Sequence, residues 1–268
     1  MKDIATIGTT KYILDKYNLD ALKKFGQNFL VDINIINKII DHGHINEDTA
    51  VIEVGPGIGA LTQVLARNAG KVISFEIDER FRPVYDEFLT SYNIEIIFSD
   101  FMKQELKQVI QELRQSYQKV YLVANLPYYI TTAIIEKVIL SNAKVDEMIV
   151  MVQKEFALKM TSDYKSPLLL MIKDMGEIEY LFTVNKNVFM PTPHVDSAII
   201  KISLLNNPDL KLYELLKICF KQRRKTILNN LKQKYDNANE ILNSCGIEGK
   251  KRSEELSLDD FKNITEII

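Results

Sequence analysis

Four consecutive residues, Asn125-Leu126-Pro127-Tyr128, present the groups in this chain that are best suited to chemistry. The asparagine offers a side-chain amide oxygen, the leucine a main-chain carbonyl whose direction the proline helps to fix, and the tyrosine a flat aromatic face. Two hydrogen-bond acceptors beside an aromatic plate can hold an amino group on a planar ring. We therefore expect all four residues to belong to a catalytic site.

The element that must position this tetrapeptide is a strand. The apolar run at residues 120–124 predicts a buried strand that ends just before Asn125. In an open α/β sheet, ligands bind at the carboxyl ends of the strands. Asn125 is therefore expected at the ligand-binding edge of a sheet.

A glycine-rich turn upstream provides a second binding signal. The sequence Val51-Ile-Glu-Val-Gly-Pro-Gly-Ile-Gly59 runs from a predicted strand through three glycines into a predicted helix, which lets a ligand approach the backbone closely. Glu53 would gain nothing beside the pyrophosphate of a dinucleotide, whereas it can reach toward the ammonium group of an amino acid. The turn therefore favours S-adenosylmethionine over NAD, with Glu53, Gly55 and Gly57 at the cofactor.

Two carboxylates follow the next two predicted strands. Glu76 ends the strand after the glycine turn, where a carboxylate can accept hydrogens from ribose hydroxyls, and Asp100 follows the third strand, where it can accept from an adenine amino group. Each acid taken alone is equally typical of a helix N-cap or a surface charge. Together they favour a nucleoside site, and with the amine pocket they indicate methyl transfer to the exocyclic nitrogen of an adenine.

The chain alternates apolar runs with amphipathic stretches, as βαβ units do. Strands are predicted at 50–54, 71–76, 94–98, 120–124, 147–153, 179–184 and 197–204, and helices at 34–42, 59–68, 80–91, 104–116, 132–141 and 154–162. The first five strands predict a mostly parallel sheet covered on both faces, closed by the last two as an antiparallel edge pair. Only helical periodicity follows Pro208, so we expect a sheet domain at 1–206 and a small helical domain at 207–268.

Charge is unevenly distributed, although the net charge is only -2. The segment 211–252 contains eleven basic and four acidic residues, the basic ones being Lys211, Lys217, Lys221, Arg223, Arg224, Lys225, Lys232, Lys234, Lys250, Lys251 and Arg252. Such a segment can face the phosphates of a nucleic acid. A solvated helix face remains the alternative interpretation.

Composition excludes several classes of protein. The 268 residues are 46% hydrophobic and 26% charged, as in an ordinary globular protein. No apolar run approaches the roughly 20 residues that span a bilayer, and no secretory signal is evident, so we expect a cytoplasmic protein without a membrane partner. Cys219, Cys245, His42, His44 and His194 lack the spacing of a disulfide framework or a metal site. The absence of a coiled-coil seam favours a monomer.

Five motifs, in order along almost the entire chain, resemble the KsgA-type 16S ribosomal RNA adenine dimethyltransferases. They are Gly26-Gln-Asn-Phe-Leu30, Glu53-Val-Gly-Pro-Gly-Ile-Gly59, Asn125-Leu-Pro-Tyr128, Phe189-Met-Pro-Thr-Pro-His-Val-Asp-Ser197 and Gln222-Arg-Arg-Lys-Thr-Ile-Leu-Asn-Asn-Leu231. The resemblance implies an α/β fold, a Rossmann-like class I methyltransferase sheet that uses S-adenosylmethionine, followed by a small all-helical domain that binds RNA.

The resemblance also implies a role for individual residues. The residues at the cofactor would be Gln27, Asn28, Leu30, Glu53, Gly55, Gly57, Glu76, Ile77, Asp100, Phe101 and Asn125. Tyr128 would stack on the target base, and Phe189 would cover that base as a second aromatic, although a packed core aromatic is the alternative for Phe189. Arg223, Arg224 and Lys225 would contact RNA.

The substrate implied by the resemblance is a pair of adjacent adenines in the 3′-terminal hairpin of 16S ribosomal RNA, within a precursor of the 30S subunit. Each adenine would become the N6,N6-dimethyl form, with a role in biogenesis of the subunit. The stretch Asp163–Met171 departs from this pattern, because it replaces a longer loop and is similar to the Erm-type 23S ribosomal RNA methyltransferases. A DNA adenine methyltransferase and a noncatalytic ribosome-assembly factor are the alternatives from other classes.

Overall fold

A computed structural model of the chain describes residues 2–22, 25–89 and 93–268. The chain divides into two compact units. The first comprises Met1–Leu158 and Ile178–Leu204, and the second comprises Lys159–Glu177 and Leu205–Ile268.

The first unit is built on a central sheet. In chain order the strands are β1 (Phe29–Leu30), β2 (Thr49–Val54), β3 (Lys71–Glu76), β4 (Ile94–Phe98), β5 (Lys119–Asn125), β6 (Glu147–Gln153), β7 (Gly176–Val184), β8 (Phe189–Met190) and β9 (Ser197–Leu204). Within the described residues, seven of them form one sheet in the order β4-β3-β2-β5-β6-β9-β7, and β1 pairs with β8. This arrangement confirms the predicted α/β fold class.

The direction of the strands determines where a ligand can bind. The pairs β2–β3, β3–β4, β2–β5 and β5–β6 are parallel, and β9 is antiparallel to β6. The chain runs outward from β2 to β3 and β4, and then returns to the other side of β2 to form β5. Because the strand order reverses there, a crevice opens at the carboxyl ends of β2 and β5.

Helices connect the strands of this unit. They are α1 (Ile7–Lys16), α2 (Ile33–Gly43), α3 (Ala60–Asn68), α4 (Arg82–Phe88), α5 (Leu106–Leu113), α6 (Thr131–Leu140) and α7 (Lys154–Met160), the last of which continues into the second unit. All six residues of β2 are buried, so the centre of the sheet is covered on both faces. No helix in the described part of the chain is long and apolar enough to cross a bilayer.

Most elements lie where the apolar periodicity predicts them. The strands at 71–76, 94–98, 147–153 and 197–204 have the predicted bounds, whereas α1, β1 and β8 were not predicted. Strands of two residues contain too little of the alternating pattern to be recognised. The helix expected at 80–91 begins instead as a 3₁₀ turn at Glu79–Phe81 and continues as α4, and residues 90 and 91 lie outside the described part.

The second unit is helical in its described residues. It contains α8 (Pro167–Met175), α9 (Leu210–Phe220), α10 (Ile227–Leu231), α11 (Ala238–Ser244) and α12 (Leu258–Ile267). Helix α9 lies at its centre, since α8, α10 and α12 all pack against it. Leu215, Leu216 and Cys219 on α9 are fully buried, and the ring of Phe220 contacts that of Phe261 on α12.

This unit includes a segment that the predicted domain boundary assigned to the sheet domain. Lys159–Glu177 packs with the helices although it precedes β7 in the chain. The Met175 carbonyl accepts hydrogen bonds from the amides of Leu205 and Asn206, at 2.9 Å each. Lys262 on α12 forms an ion pair with Asp174 at 2.6 Å. The stretch Asp163–Met171, expected to be a loop, contains the start of α8, capped by Ser166.

The junction between α3 and β3 tolerates only glycine. A methyl group at Gly70 would lie 2.2 Å from the carbonyl oxygen of Glu47 and 2.4 Å from Cε1 of Tyr117. We expect Gly70→Ala to lower the free energy of unfolding by about 1–3 kcal/mol, because the backbone at Glu47 must move. Chemical denaturation measures this change.

The matched control is Gly8→Ala on α1. A methyl group there meets no atom within 4 Å, and alanine favours a helix over glycine by about 1 kcal/mol. The control should therefore be at least as stable as the parent. Equal stability of the two variants would contradict the close approach at Gly70.

Candidate active site

A cavity of about 340 Å³ lies in the first unit, at the crevice where the strand order reverses. All the residues predicted at the cofactor and the whole Asn125–Tyr128 segment line it. The predicted residues in its lining are Gln27, Asn28, Leu30, Glu53, Gly55, Gly57, Glu76, Ile77, Asp100, Phe101, Asn125, Leu126, Pro127 and Tyr128. The carboxyl ends of β2, β3 and β5 therefore bring the two predicted binding signals into one cavity.

The glycine turn after β2 forms an open cradle. Gly55 has φ +69°, and a methyl group built on it would meet no protein atom within 4 Å, so a ligand can approach this backbone. Gly57 is held on both sides: its amide donates to Oε2 of Glu76 at 3.0 Å, and its carbonyl accepts from the Tyr85 hydroxyl at 2.6 Å. The cradle is thus anchored from β3 and from α4.

Glu76 is the most heavily bonded side chain of the cavity. Its Oε1 accepts from the amides of Ile77 and Asp78, at 2.9 and 2.8 Å, while its Oε2 accepts from Gly57. Burial raises the pKa of Glu76, and these backbone bonds offset part of the effect. A carboxylate has about four acceptor positions. Three of these positions are used by the backbone donors.

Glu53 forms an inner wall of the cavity. Its side chain is 1% exposed, and its Oε2 accepts a hydrogen bond from the Ser74 hydroxyl at 2.7 Å. Burial raises the pKa of Glu53 to about 7, although the Ser74 hydroxyl acts in the opposite direction. A ligand cation would favour the ionised form of this carboxyl.

Asp100 and Phe101 lie beyond the end of β4. Asp100 Oδ1 accepts from the Met102 amide at 2.9 Å, so this residue caps a 3₁₀ turn. Asp100 also lines the cavity. Phe101 is buried and packs edge to face against Phe75, with ring centroids 5.6 Å apart. This end of the cavity therefore combines a carboxylate with apolar walls, as an adenine ring requires.

The segment 26–30, called the strap below, lines the cavity along its whole length. Gln27 Nε2 donates to Asp78 Oδ2 at 2.9 Å, and its Oε1 accepts from the Leu22 amide at 2.8 Å. The Asn28 carbonyl accepts from Asn125 Nδ2 at 3.2 Å. Both polar atoms of the Gln27 side chain are therefore hydrogen-bonded within the protein. The strap is held by Asp78, which follows β3, and by Asn125 at the end of β5.

Asp78, which the sequence analysis did not single out, holds the strap through Gln27. Its side chain is only 4% exposed, and Arg80 binds it through both Nε and Nη2, at 2.8 and 2.6 Å. Burial alone would raise the pKa of Asp78, but the bonds from Arg80 and Gln27 outweigh it and lower the pKa. The sequence signal that could have identified Asp78 is its position two residues after Glu76, just beyond the end of β3.

The Asn125–Tyr128 segment is held so that two acceptors remain. The Leu126 amide donates to the Met151 carbonyl on β6 at 3.1 Å, and the Pro127 carbonyl accepts from Ile130 and Thr131. Within the described residues no hydrogen bond reaches Asn125 Oδ1 or the Leu126 carbonyl oxygen. Both oxygens are available to the amino group of a ligand.

Tyr128 is fixed by its hydroxyl. That hydroxyl lies 2.7 Å from Ser197 Oγ at the start of β9, and Ser197 is fully buried. Burial raises the pKa of Tyr128, and the bond to Ser197 reduces the shift. Tyr128 therefore stays protonated at neutral pH, with its ring held along the cavity wall.

Phe189 does not line the cavity. It pairs with Leu30 across the β1–β8 ladder, and its side chain is 3% exposed within the hydrophobic core. The geometry gives no support to its predicted place over a target base and agrees with the core alternative. Leu30, its partner, does line the cavity.

The predicted RNA-binding residues belong to the second unit. Arg223 is not a free cation: its Nε donates to Glu254 at 3.0 Å, and its guanidinium lies 4.7 Å from the ring centre of Tyr164. Arg224 and Lys225 are exposed, and neither forms an ion pair within the part of the chain that the structure describes. The three residues thus separate into one paired arginine and two available cations.

The cavity fits S-adenosylmethionine by its chemistry. An open glycine backbone and the Glu53 carboxyl suit the amino-acid part, the Glu76 carboxylate suits a ribose hydroxyl, and Asp100 with Phe101 suits an adenine. Asn125 and Leu126, which carry the two unbonded acceptors, line the same cavity. A donor of methyl groups and an aromatic amine can therefore be bound side by side.

The pKa of Glu53 predicts how stability depends on pH. Because the folded-state pKa, about 7, lies above the usual 4.5, the wild type loses stability relative to a neutral variant as pH rises from about 4.5 to about 7, where the unfolded chain is ionised and the folded chain is still protonated. Glu53→Gln should therefore gain up to about 3 kcal/mol over the wild type between pH 5 and pH 8. Urea denaturation at both pH values measures this difference.

Glu177→Gln removes one formal charge at an exposed position and is the control. Its stability should follow that of the wild type at both pH values. If the difference in free energy of unfolding between Glu53→Gln and the wild type were the same at both pH values, the pKa of the buried Glu53 carboxyl would not be raised.

Known proteins resemble this chain over its full length. A model of the family "Ribosomal RNA adenine dimethylase" matches residues 18–268. The chain is 41% identical to ribosomal RNA small subunit methyltransferase A of Bacillus pumilus, over 100% of this chain and 98% of that protein. It is 40% identical to the Bacillus thuringiensis protein of the same name, over 99% and 97%.

Two solved structures share the fold. The 23S rRNA methyltransferase ErmE has a TM-score of 0.65 and 29% identity, covering 89% of this chain and 98% of its own. A dimethyladenosine transferase from Plasmodium falciparum has a TM-score of 0.67 and 28% identity, covering 88% and 95%. These likenesses imply S-adenosylmethionine as the methyl donor, in agreement with the cavity. The chain belongs to the ribosomal RNA adenine dimethylase family.

Proposed function

We propose that this enzyme dimethylates the N6 amino groups of two adjacent adenines in the 3′-terminal hairpin of 16S ribosomal RNA, within a precursor of the 30S subunit. The relatives at 40% and 41% identity are named as small-subunit methyltransferases, which supports this choice of RNA. A ribosomal substrate implies action in the cytoplasm. We propose that the enzyme acts there as a monomer.

The observation that carries the proposal is the pair of free acceptors beside an aromatic ring. Asn125 Oδ1 and the Leu126 carbonyl oxygen have no hydrogen-bond donor among the described residues, and Tyr128 lies next to them on the same cavity. An adenine amino group has two N–H donors and one flat ring. The two acceptors therefore match the two N–H donors of the amino group, and the Tyr128 ring matches the flat face of the base.

The two acceptors would also activate the amine. The lone pair of an adenine amino group is delocalised into the ring, which makes the nitrogen a weak nucleophile. When Asn125 and Leu126 each accept one N–H hydrogen, the lone pair is localised and turned away from the ring. The same oxygens stabilise the positive charge that grows on nitrogen. As the bond from nitrogen to the methyl carbon forms, the bond from that carbon to sulfur would break, leaving a neutral thioether, and the nitrogen would then lose one proton to water.

The cofactor and the base would divide the cavity between them. S-adenosylmethionine, when bound, supplies a methyl group on a positively charged sulfur. Gly55, Gly57, Glu76 and Asp100 would hold it toward β2, β3 and β4. At the end of β5, Tyr128 would stack on an adenine that has left its own stack, which returns part of the cost of unstacking.

The helical unit would contribute contacts to the RNA backbone. Arg224 and Lys225 are exposed and unpaired within the described residues, so both can neutralise phosphates. Arg223 is already bonded to Glu254, and we propose that it positions Tyr164 and the neighbouring backbone instead. The catalytic and cofactor-binding roles proposed here do not depend on this surface.

Transfer of a radiolabelled methyl group tests the substrate. The enzyme is incubated with labelled S-adenosylmethionine and undermethylated 30S subunits, 50S subunits or DNA. We expect label in the 3′-terminal hairpin of 16S RNA, as dimethyladenine at two adjacent positions. Label in 50S subunits alone would contradict the proposal and indicate an enzyme that methylates 23S RNA, as the likeness to ErmE allows. No label in any substrate would indicate a noncatalytic assembly factor.

Asn125→Ala tests the activating acceptor. Loss of one such group should lower kcat by about 10²–10³-fold, whereas the affinity for S-adenosylmethionine should change little, because the glycine cradle and Glu76 remain. Single-turnover methylation and isothermal titration calorimetry measure the two quantities.

Asn125→Asp is the companion variant. It keeps an oxygen acceptor but loses the donor to the Asn28 carbonyl. It should therefore keep more activity than Asn125→Ala. A fall in cofactor affinity as large as the fall in kcat would show that Asn125 serves the strap rather than the amine.

A further inference from the structure

Three exposed apolar side chains surround the cavity. Ile77, Met102 and Tyr129 all line it and are 53%, 36% and 63% exposed. Single exposed apolar residues are normal on a protein surface, but several around one opening indicate a binding surface. The question is which ligand each of them contacts.

Two of the three are explained by the cofactor. Ile77 follows β3 and Met102 follows β4, at the end of the cavity that holds Glu76 and Asp100. Tyr129 instead follows β5, and β2 lies between β5 and β3 in the sheet. Tyr129 therefore directly follows the residues that would hold the target base, and β2 separates it from the strand ends that carry Glu76 and Asp100.

Tyr129 also differs from its neighbour Tyr128. The hydroxyl of Tyr128 is bonded to Ser197, whereas no hydrogen bond reaches the Tyr129 side chain within the described residues. One edge of the Tyr129 ring faces the strap, since a methyl group at Gly26 would lie 3.7 Å from both Cδ1 and Cε1. The strap thus limits where the ring can go, while most of its surface stays in solvent.

We propose that Tyr129 stacks on the nucleotide next to the target adenine and so helps to select the site of methylation. The inference rests on the proposed function. When the target base leaves its stack, the neighbouring base loses a stacking partner. An exposed aromatic ring directly after the residue assigned to the target can replace that partner, because any base can stack on an aromatic side chain.

The test compares Tyr129→Ala with Tyr129→Phe on whichever ribosomal subunit the wild type labels. Tyr129→Ala should raise KM for the subunit about 10-fold, within the range found for base stacking, with the affinity for S-adenosylmethionine unchanged by calorimetry. Tyr129→Phe keeps the ring and should keep the wild-type KM. Tyr12→Ala is the control and should behave as the wild type, because Tyr12 on α1 is also more than half exposed but does not line the cavity.

A second measurement removes the partner base instead. Subunits are reconstituted from RNA with a single abasic nucleotide on either side of the target. In the wild type one of these should raise KM about 10-fold, and in Tyr129→Ala the same abasic nucleotide should have no further effect, because the two changes remove one interaction.

The inference fails if Tyr129→Ala leaves KM unchanged, or if the abasic nucleotide costs the same in both proteins. It also fails if Tyr129→Phe is as weak as Tyr129→Ala, since the hydroxyl would then be the important group. Failure of the proposed function would be seen in a different measurement: the wild-type enzyme would transfer no label to 30S subunits. The stacking test can still be made on 50S subunits if those are labelled.

Discussion

A buried carboxylate joins the two strand ends on which the cavity depends. Glu76 accepts the amides of Gly57, Ile77 and Asp78, so it connects the turn after β2 to the turn after β3. Burying an ionised carboxyl is costly unless its oxygens are hydrogen-bonded, and here three backbone donors meet that need. The glycine cradle keeps its shape because of this bond network, and the strap is tied to the same place through Asp78 and Gln27.

The site departs locally from what stability alone would favour. Glu53 is a carboxyl with little access to water, and Tyr129 is an aromatic ring exposed to it. A buried carboxyl is costly because ionised groups favour water, and an exposed aromatic ring, although common singly, indicates a binding surface when it lies at the opening of a cavity. Both occur around one cavity, where a cationic ligand and a nucleotide base would supply the missing partners.

The helical unit illustrates a limit of counting charges along a chain. The segment 211–252 is strongly basic in sequence, yet Arg223 is bonded to Glu254 and packed on Tyr164. Tyr164 belongs to Lys159–Glu177, a segment that joins this unit from an earlier part of the chain. Exposure and pairing, rather than composition, distinguish Arg224 and Lys225, which remain available to phosphate, from Arg223, which does not.

Local patterns were enough to predict the strands of the central sheet, the cofactor class and many of the residues that line the cavity, because alternation, glycine turns and strand ends are properties of short segments. The two-residue strands β1 and β8 were not predicted. Contacts between distant segments were not predictable in this way. Gln27 meets Asp78, Asn28 meets Asn125, and Tyr128 meets Ser197 only because particular strands lie side by side. The same pairing places Phe189 in the core, against the expectation from its motif, and packs Lys159–Glu177 with the helices. Strand order is set by the energy of the whole packed core, which no short segment contains.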